Sequence, residues 1–272
     1  MHDLLQSTYI IPEKNHKQEI QRLITQDTLL NQSFGGTLPE QDNPFRFLSL
    51  LDLGCGPGTW LMELAKEYPH FTSLTGIDIN PMVIDYAKRE GPTLDFQEVD
   101  ILKGLPYQMN SFDMVNMRLG SSFMRTWDWL RILGEMHRVT HPGGVVRIVE
   151  LQFPESTSPA HSILMEYVIE AVYRAGHIFS PSKEGVIDAI FPMFKNYDMH
   201  NIQKKDYTFT FTSKDTKHAE NTTHFFSLIQ PFLQKWIRLP GTYTDTYTKM
   251  LEEMKQPNCE TVCRFSIMWG EK

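Results

Sequence analysis

The sequence has few cysteines, and this scarcity excludes a fold held together by disulfides. Three occur among 272 residues, namely Cys55, Cys259 and Cys263. An odd, small number of cysteines is typical of a protein in a reducing compartment. Cys259 and Cys263 have no second pair that would complete a zinc site, so we expect no metal.

The sequence also lacks long apolar runs and an excess of positive charge. No apolar stretch approaches the roughly 20 residues that cross a bilayer, and the N-terminal MHDLLQSTYIIPEKNHK lacks the arrangement of a signal peptide. There are 26 Lys and Arg residues against 33 Asp and Glu residues, a net charge of −7. Neither a membrane nor nucleic acid is therefore an expected partner. We expect a cytoplasmic protein, either a monomer or a homodimer.

Strand and helix patterns alternate along the middle of the chain. Apolar runs precede amphipathic stretches, and Pro81 and Gly91 mark the start and the end of one predicted helix. The strand candidates are FRFLSLLDLG, TSLTGIDI, LDFQEVDI, SFDMVNMRLG and GGVVRIVELQF. This alternation predicts an α/β fold, a parallel sheet with helices on both faces. In such sheets the ligand crevice lies beyond the carboxyl ends of the strands.

The flanking segments divide the chain into three predicted parts. Residues 1–45 form an N-terminal helical cap, and residues 46–153 form a ligand-binding core. Residues 154–272 supply helical lid insertions and C-terminal strands that complete the sheet. We expect the last strand candidate, TVCRFSIMWG, to return to an edge of the sheet.

Three glycines at alternate positions follow the first strand in LLDLGCGPGTW, residues 50–60. Glycines permit positive φ and a close backbone approach to a ligand, and the next helix offers free N–H groups to an anion. Gly54, Gly56 and Gly58 are spaced GxGxG, and Thr59 occupies the place of the third glycine of a dinucleotide fingerprint. No Gly-Lys-Ser/Thr follows, which excludes a P-loop. The turn suits a nucleotide or a carboxylate, and an NAD-dependent oxidoreductase is the less well supported alternative.

Acidic residues end the next two strand candidates. Asp78 in GIDIN lies 20 residues after Gly58, where a carboxylate accepts both hydroxyls of a ribose. Asp100 in FQEVDI is placed to accept a hydrogen bond from an adenine amine, with a helix N-cap as its alternative role. Together with the glycine turn, these residues predict an adenosine site.

The motifs LLDLGCGPG, GIDIN, EVDI, FDMVNMR and EMHRVTHPGGVVRIVE, in this order, resemble those of class I S-adenosylmethionine-dependent methyltransferases. The resemblance covers residues 48–151 and is closest to the small-molecule branch that includes the ubiquinone/menaquinone-biosynthesis C-methyltransferases. It implies a Rossmann-like fold with a mostly parallel seven-stranded sheet and a helical lid. It also implies S-adenosylmethionine as the cofactor, bound by the core at 46–153, and a small-molecule acceptor.

Roles carried over by this resemblance assign most of a cofactor site. The assigned residues are Asp52, Gly54, Cys55, Gly56 and Gly58 for the methionine part, Asp78 for the ribose, Ile79, Asp100 and Ile101 for the adenine, and Asn116, Met117 and Arg118 for the sulfonium end. The family often has an RLxxQ segment before the glycine turn, and QRLITQ implies that Arg22 and Gln26 close over the cofactor. Alternatively, Arg22 and Gln26 are solvated residues of a surface helix, and Cys55 is a small buried filler.

The resemblance implies methyl transfer to a small, fairly hydrophobic acceptor at oxygen, nitrogen or carbon, by direct in-line displacement. The candidate general bases are Glu150, His161 and His177. The expected apolar wall of the acceptor site is Phe153, Met165, Tyr167, Tyr173, His177, Phe179 and Phe191. Two alternatives stay open: a non-methylating reaction such as a cyclisation with the cofactor bound, and a non-catalytic binding module.

Overall fold

A computed structural model describes residues 8–11 and 16–272. The strands are β1 (Ser49–Leu53), β2 (Ser73–Asp78), β3 (Asp95–Glu98), β4 (Phe112–Arg118), β5 (Thr140–Leu151), β6 (Glu155–Ser156), β7 (His200–Thr212) and β8 (Glu260–Glu271). The helices are α1 (His16–Phe34), α2 (Thr59–Glu67), α3 (Pro81–Glu90), α4 (Trp129–Val139), α5 (Pro159–Arg174), α6 (Ile187–Ile190), α7 (Thr216–Trp236) and α8 (Tyr243–Glu253). Residues 1–7 and 12–15 of the predicted cap lie outside the described residues.

The sheet has seven strand positions, in the order β3-β2-β1-β4-β5-β8-β7. Strands β1 to β5 run parallel to one another, and β8 runs antiparallel to both β5 and β7. Strand β6 continues the line of β5, because both pair with one edge of β8 while β7 pairs with its other edge. The expected seven-stranded Rossmann-like sheet is confirmed, with β6 as an added strand of two residues.

The expectation that the last strand lies at an edge of the sheet is wrong. Strand β8 lies between β5 and β7, and β7 is the edge strand. Most residues of β8 are buried, whereas most of β7 is exposed and carries Lys204 and Lys205 in its middle. Charged residues on an exposed edge strand discourage pairing with other chains, which explains why the more polar strand is outermost.

The boundaries of α3 have local causes that the sequence already indicates. The side-chain Oδ1 of Asn80 accepts a hydrogen bond from the backbone N–H of Met82 at 3.0 Å, which caps the first turn. Pro81 occupies the first helical position, where its missing N–H has no helical partner to lose. Gly91 follows the last helical residue as predicted. The helix therefore starts at Pro81, shortly after Asp78, and this places its first turn beside the predicted ribose site.

A layer of helices covers the carboxyl ends of the parallel strands. Helix α7 contacts both α1 and α5, and α5 also contacts α8. Helices α1, α5 and α7 line one crevice together with the ends of β1 and β2. The helical lid is thus present, and the division of the chain at residues 45 and 153 stays a prediction. No helix within the described ranges has both the length and the apolarity that a membrane span requires.

Candidate active site

A crevice of about 360 Å³ lies at the carboxyl ends of the parallel strands. Its size is within the range of small-molecule and cofactor sites, about 300–1,000 Å³. Residues of the glycine turn, the ends of β2 and β4 and the inner face of α1 line one half, which we call the strand-end half. Residues 151–154 and the inner sides of α5, α7, β7 and β8 line the other, which we call the helix half.

The glycine turn enters the crevice with its backbone in the left-handed region. The φ angles of Gly54, Gly56 and Gly58 are 68°, 53° and 73°, which explains the need for glycine at these positions. Gly54 and Gly56 line the crevice, together with Cys55 between them. Gly58 is not among the lining residues, and a Cβ added to it would lie 2.5 Å from Cζ of Phe96. The third glycine therefore permits close packing of α2 against β3, which corrects its assignment to the cofactor.

Asp78 joins the glycine turn to the start of α3. Its Oδ2 accepts a hydrogen bond from the backbone N–H of Gly56 at 3.0 Å, and its Oδ1 accepts one from the N–H of Asn80 at 2.9 Å. Burial raises the pKa of this carboxyl group, although the backbone hydrogen bonds oppose the shift. Each carboxylate oxygen has a second lone pair, so Asp78 is fixed in place and still able to accept two hydroxyls.

Asp100 caps a short helical turn and also faces the crevice. Its Oδ1 accepts a hydrogen bond from the backbone N–H of Leu102 at 3.0 Å and so caps the 3₁₀ turn Ile101–Lys103. Asp100 also lines the crevice, and the apolar side chains of Ile79 and Ile101 line the same region. A carboxylate among apolar lining residues suits a flat polar ring such as adenine.

A buried network of hydrogen bonds and one ion pair holds Asp52 in place. Asn116 donates a hydrogen bond from Nδ2 to Oδ1 of Asp52 at 2.7 Å, and Arg147 donates from Nη1 to Oδ1 of Asn116 at 2.7 Å. The same guanidinium forms a two-pronged ion pair with Glu40, with N–O distances of 2.8 and 3.1 Å. Burial raises the pKa of Asp52 to about 7, against the opposing effects of Arg118 and Asn116. Sequence reasoning missed Glu40 and Arg147, because no local pattern links residues that lie 107 positions apart.

The three residues assigned to the sulfonium end behave differently. Arg118 lines the crevice and bonds to Asp27 and Asn31 of α1. Asn116 and Met117 are fully buried and are not among the lining residues. Met117 packs into the core, because successive side chains of a strand point to opposite faces. Asn116 shares a face with Arg118 but lies one step further inside, and its amide bonds to Asp52 and Arg147. Neither Asn116 nor Met117 can contact the cofactor directly: Asn116 holds Asp52 in place, and Met117 is part of the core.

Arg22 and Gln26 lie together on the inner face of α1, as the RLxxQ segment implies. Arg22 donates a hydrogen bond from Nη1 to Oε1 of Gln26 at 2.6 Å and binds Glu19 through two hydrogen bonds of 2.7 Å. Arg22 is 5% exposed, which contradicts the alternative of a solvated surface residue. Both side chains line the crevice.

Two of the three candidate bases do not line the crevice. Glu150 is fully buried, and its two oxygens accept hydrogen bonds from the backbone N–H and the hydroxyl of Ser121 at 3.0 and 2.7 Å. Burial raises the pKa of Glu150 to about 7. His177 is also fully buried, and its Nδ1 donates a hydrogen bond to the carbonyl of Met124 at 2.8 Å. Burial lowers the pKa of His177 to about 3. The assignment of Glu150 and His177 as general bases is therefore wrong: each holds the segment between β4 and α4 through hydrogen bonds.

His161, on α5, is the candidate base that lines the crevice. Burial lowers its pKa to about 4, with a smaller contribution from His218.

Among the residues expected to form the apolar wall, Phe153 and Met165 line the crevice, and Tyr167, Tyr173, Phe179 and Phe191 do not. The actual wall also takes aromatic rings from β7, α7 and β8, namely Phe209, Phe211, Phe225, Phe226 and Phe265.

Helix α7 adds polar residues that sequence reasoning missed. His218, Asn221 and Thr222 line the helix half, and Nε2 of His218 lies 3.4 Å from Oγ1 of Thr222. The spacing of His218 and Thr222, one helical turn apart, could have suggested a shared face, but nothing in the sequence directs that face toward the crevice.

In residues 8–11 and 16–272 no group of three or more His, Cys, Asp or Glu side chains is arranged to hold a metal ion.

Comparison with known proteins matches the part of the chain that contains the glycine turn and the ends of β2 and β4. A family model described as a methyltransferase domain matches residues 50–144. Residues 50–144 are therefore similar to a methyltransferase domain. This match supports the resemblance to methyltransferases that the sequence motifs indicate.

Individual relatives agree with this assignment. The N-methyltransferase verN of Clonostachys rogersoniana is 28% identical over 66% of this chain and 66% of its own length. A demethylmenaquinone methyltransferase of Oceanobacillus iheyensis is 32% identical over 38% of this chain and 44% of its own length. The chain therefore spans less than two thirds of either relative. Phosphoethanolamine N-methyltransferase 2 of Haemonchus contortus shares the fold, with a TM-score of 0.52 and 15% identity over 95% of this chain and 58% of that one.

Proposed function

We propose that this protein transfers a methyl group from S-adenosylmethionine to a small, fairly hydrophobic acceptor at oxygen, nitrogen or carbon, by direct in-line displacement. One observation carries the proposal. A single crevice joins an acid-lined half, built on the methyltransferase motifs, to a half lined mainly by apolar and aromatic side chains. The names of the two curated relatives support methyl transfer without selecting one acceptor atom.

The strand-end half has the groups that the cofactor needs. We propose that Asp78 accepts the two ribose hydroxyls and that Asp100, between Ile79 and Ile101, accepts a hydrogen bond from the adenine amine. The methionine part would lie along Asp52 and the turn at 54–57, covered by Arg22, Gln26 and Arg118. The two positive φ angles at Gly54 and Gly56 fit this placement, because they let the turn approach a ligand without side chains in between.

The protein's main contribution to the reaction would be alignment and exclusion of water. When bound, the cofactor supplies an electrophilic methyl group on a positively charged sulfur. Holding an acceptor atom in line with that methyl group can contribute roughly 7–11 kcal/mol to catalysis. His161 stays neutral at pH 7 because its pKa is about 4, so it binds a proton only weakly. We therefore propose that positioning by α5 and α7 contributes more than general-base catalysis.

Calorimetric titration tests the cofactor assignment. We expect S-adenosylmethionine to bind the wild-type protein and to bind Asp78→Ala at least about 100-fold more weakly, because two hydrogen bonds to a charged acceptor are lost. His200→Phe is the matched control, since His200 is exposed on β7 and is not among the residues that line the crevice. Undetectable binding to the wild-type protein would contradict the proposal.

Product analysis tests the reaction class. With a cofactor that carries an isotope-labelled methyl group, we expect the product to gain that methyl group and the cofactor to lose it. An unchanged product mass with intact cofactor would instead support a non-methylating reaction, and cofactor binding without turnover would support a binding module. The cytoplasmic location, the monomeric or homodimeric state and the absence of nucleic-acid, membrane and metal partners stay predictions.

A further inference from the structure

The segment between β4 and α4 contains a strained residue and is held in place by hydrogen bonds. Leu119 has a φ of 54°, in the left-handed region that residues other than glycine rarely adopt, and it directly precedes the 3₁₀ turn Gly120–Ser122. The buried carboxylate of Glu150 accepts two hydrogen bonds from Ser121, and the buried ring of His177 donates one to a backbone carbonyl of the same segment. Such strain persists only where the surroundings impose it, and it is most common at functional sites.

This segment places the ring of Phe123 against the glycine turn. A Cβ added to Gly54 would lie 2.7 Å from Cζ and 2.9 Å from Cε1 of Phe123, so glycine at position 54 is needed to make room for the ring. The backbone of Phe123 is fixed on both sides, because its N–H donates to the carbonyl of Gly120 at 3.0 Å and its carbonyl accepts a hydrogen bond from Oγ1 of Thr8. The tip of the ring meets Gly54, which leaves the two ring faces free of this glycine. Phe123 also lines the crevice.

The proposed placement of the cofactor brings a positive charge to this part of the crevice. The ribose would lie on Asp78, whose Oδ2 accepts a hydrogen bond from the N–H of Gly56, and the methionine part would lie along Asp52 and residues 54–57. The sulfur that joins these two parts would therefore lie beside the glycine turn, which is where the ring of Phe123 stands. In S-adenosylmethionine this sulfur is a positively charged sulfonium, whereas in the product S-adenosylhomocysteine it is a neutral thioether.

An aromatic ring distinguishes these two forms of the sulfur. The face of the ring carries partial negative charge and attracts a nearby cation, and the attraction is larger where water is excluded. A neutral thioether has only the weaker contact that sulfur makes with aromatic rings. A ring beside the sulfur should therefore favour the cofactor before methyl transfer over the product that remains afterwards.

We propose that Phe123 faces the sulfonium of the bound cofactor and raises the affinity for S-adenosylmethionine relative to that for S-adenosylhomocysteine. This inference rests on the proposed function, because it requires the cofactor to lie in the strand-end half. Methyl transfer removes the positive charge from the sulfur, so the same ring favours release of the product. The segment that Leu119, Glu150 and His177 hold in place thereby has a role in cofactor selection.

Calorimetric titrations with S-adenosylmethionine and S-adenosylhomocysteine test this proposal through the ratio of the two dissociation constants. Phe123→Leu keeps an apolar side chain and removes the ring, and we expect the Kd of S-adenosylmethionine to rise at least about threefold relative to that of S-adenosylhomocysteine. Phe225→Leu is the matched control, because it makes the same change in a ring that lines the helix half. Its ratio should stay within about 1.5-fold of the wild-type ratio. An unchanged ratio in Phe123→Leu would overturn the proposal.

The ratio also separates this role from a purely structural one. If Phe123 served only to pack against Gly54, its replacement would weaken the binding of both ligands alike. Phe123→Met is a second variant in case Phe123→Leu does not fold, because the flexible side chain of methionine fills irregular space without an aromatic ring. We expect the same change in the ratio, and its absence would overturn the proposal.

Sinefungin, an analogue with an ammonium group in place of the sulfonium methyl group, provides an independent measurement. Its positive charge lies where that of the sulfonium would lie, so its affinity should fall in Phe123→Leu together with that of S-adenosylmethionine. A sinefungin affinity that instead follows that of S-adenosylhomocysteine would overturn the proposal.

The wild-type titrations distinguish the failure of this inference from that of the proposed function. If none of the three ligands binds the wild-type protein, the proposed function fails and the role of Phe123 fails with it. If they bind and the ratio is the same in the wild-type protein and the Phe123 variants, the role of Phe123 fails by itself.

Discussion

The two halves of the crevice use polar groups in opposite ways. In the strand-end half, Asp78 and Asp100 each accept hydrogen bonds from backbone N–H groups, so these carboxylates are held in place before any ligand arrives. In the helix half, Nδ1 of His161 and Oδ1 of Asn221 have no partner among the described residues. One half thus offers carboxylates that are already fixed in place, and the residues that line the other half are mainly apolar and aromatic.

The two halves of the crevice also differ in the buried residues that support them. Asp52 rests on a buried chain of contacts through Asn116 and Arg147 to Glu40, which keeps several charges inside the protein and paired. The helix half rests on apolar side chains of α5 and α7. Breaking the charged network should therefore cost far more stability than altering a neutral lining residue, and the following predictions test this comparison.

The largest effect is expected from Glu40→Gln. The ion pair of Glu40 with Arg147 is almost completely buried, with side chains 0% and 1% exposed, so removal of the carboxylate leaves a buried unpaired guanidinium. We expect the free energy of unfolding to fall by about 3–5 kcal/mol in urea titrations. Glu271→Gln is the matched control, because Glu271 pairs with Arg46 at the same distance of 2.8 Å near the surface. That variant should lose no more than about 1 kcal/mol, and equal losses would contradict the comparison.

A pH-dependent effect of intermediate size is expected from Glu150→Gln. Glu150 holds Ser121, which lines the crevice, and burial raises its pKa from 4.5 to about 7. A raised folded-state pKa adds stability that is fully present below pH 4.5 and is lost as the pH rises through 7. Relative to the variant, wild-type unfolding free energy should therefore fall by up to about 3 kcal/mol between pH 4.5 and pH 8.

Urea titrations across this pH range measure the difference, with the exposed Glu252→Gln as the control. The control should follow the wild-type pH dependence. Parallel curves for the wild-type protein and Glu150→Gln would contradict the raised pKa of this carboxyl group in the folded protein.

The smallest effects are expected on cofactor affinity, when one variant from each half of the crevice is compared. Asp100→Asn removes the charge at the predicted adenine edge, and we expect about three- to tenfold weaker binding of S-adenosylhomocysteine by calorimetry. His218→Phe changes the helix half and should leave that affinity within about twofold. Weaker binding in His218→Phe than in Asp100→Asn would show that the cofactor extends into the helix half.

The sequence predicts the strand-end half well because its signals are local. Turn glycines, an Asn-Pro helix start and acids at strand ends each depend on a few neighbouring residues, and Gly54, Gly56, Asp78 and Asp100 all line the crevice as expected. Gly58 shows the limit of this reasoning, since its positive φ serves packing against Phe96.

The helix half could not be predicted to the same extent, because its lining depends on how distant helices pack. Glu150, His161 and His177 were equivalent candidates in the sequence, and all three are buried; only their position in the fold separates them, because His161 lines the crevice and the other two do not. Likewise, no local pattern reveals that α7 turns His218 and Asn221 toward the same space.

A crystal structure with S-adenosylhomocysteine tests the central claim most directly. We predict that both ribose hydroxyls lie within hydrogen-bond distance of the Asp78 carboxylate, with the adenine between Ile79 and Ile101 and the space between α5 and α7 still open. A cofactor bound among Phe211, Phe226 and His161, away from Asp78, would contradict the division of the crevice on which this account depends.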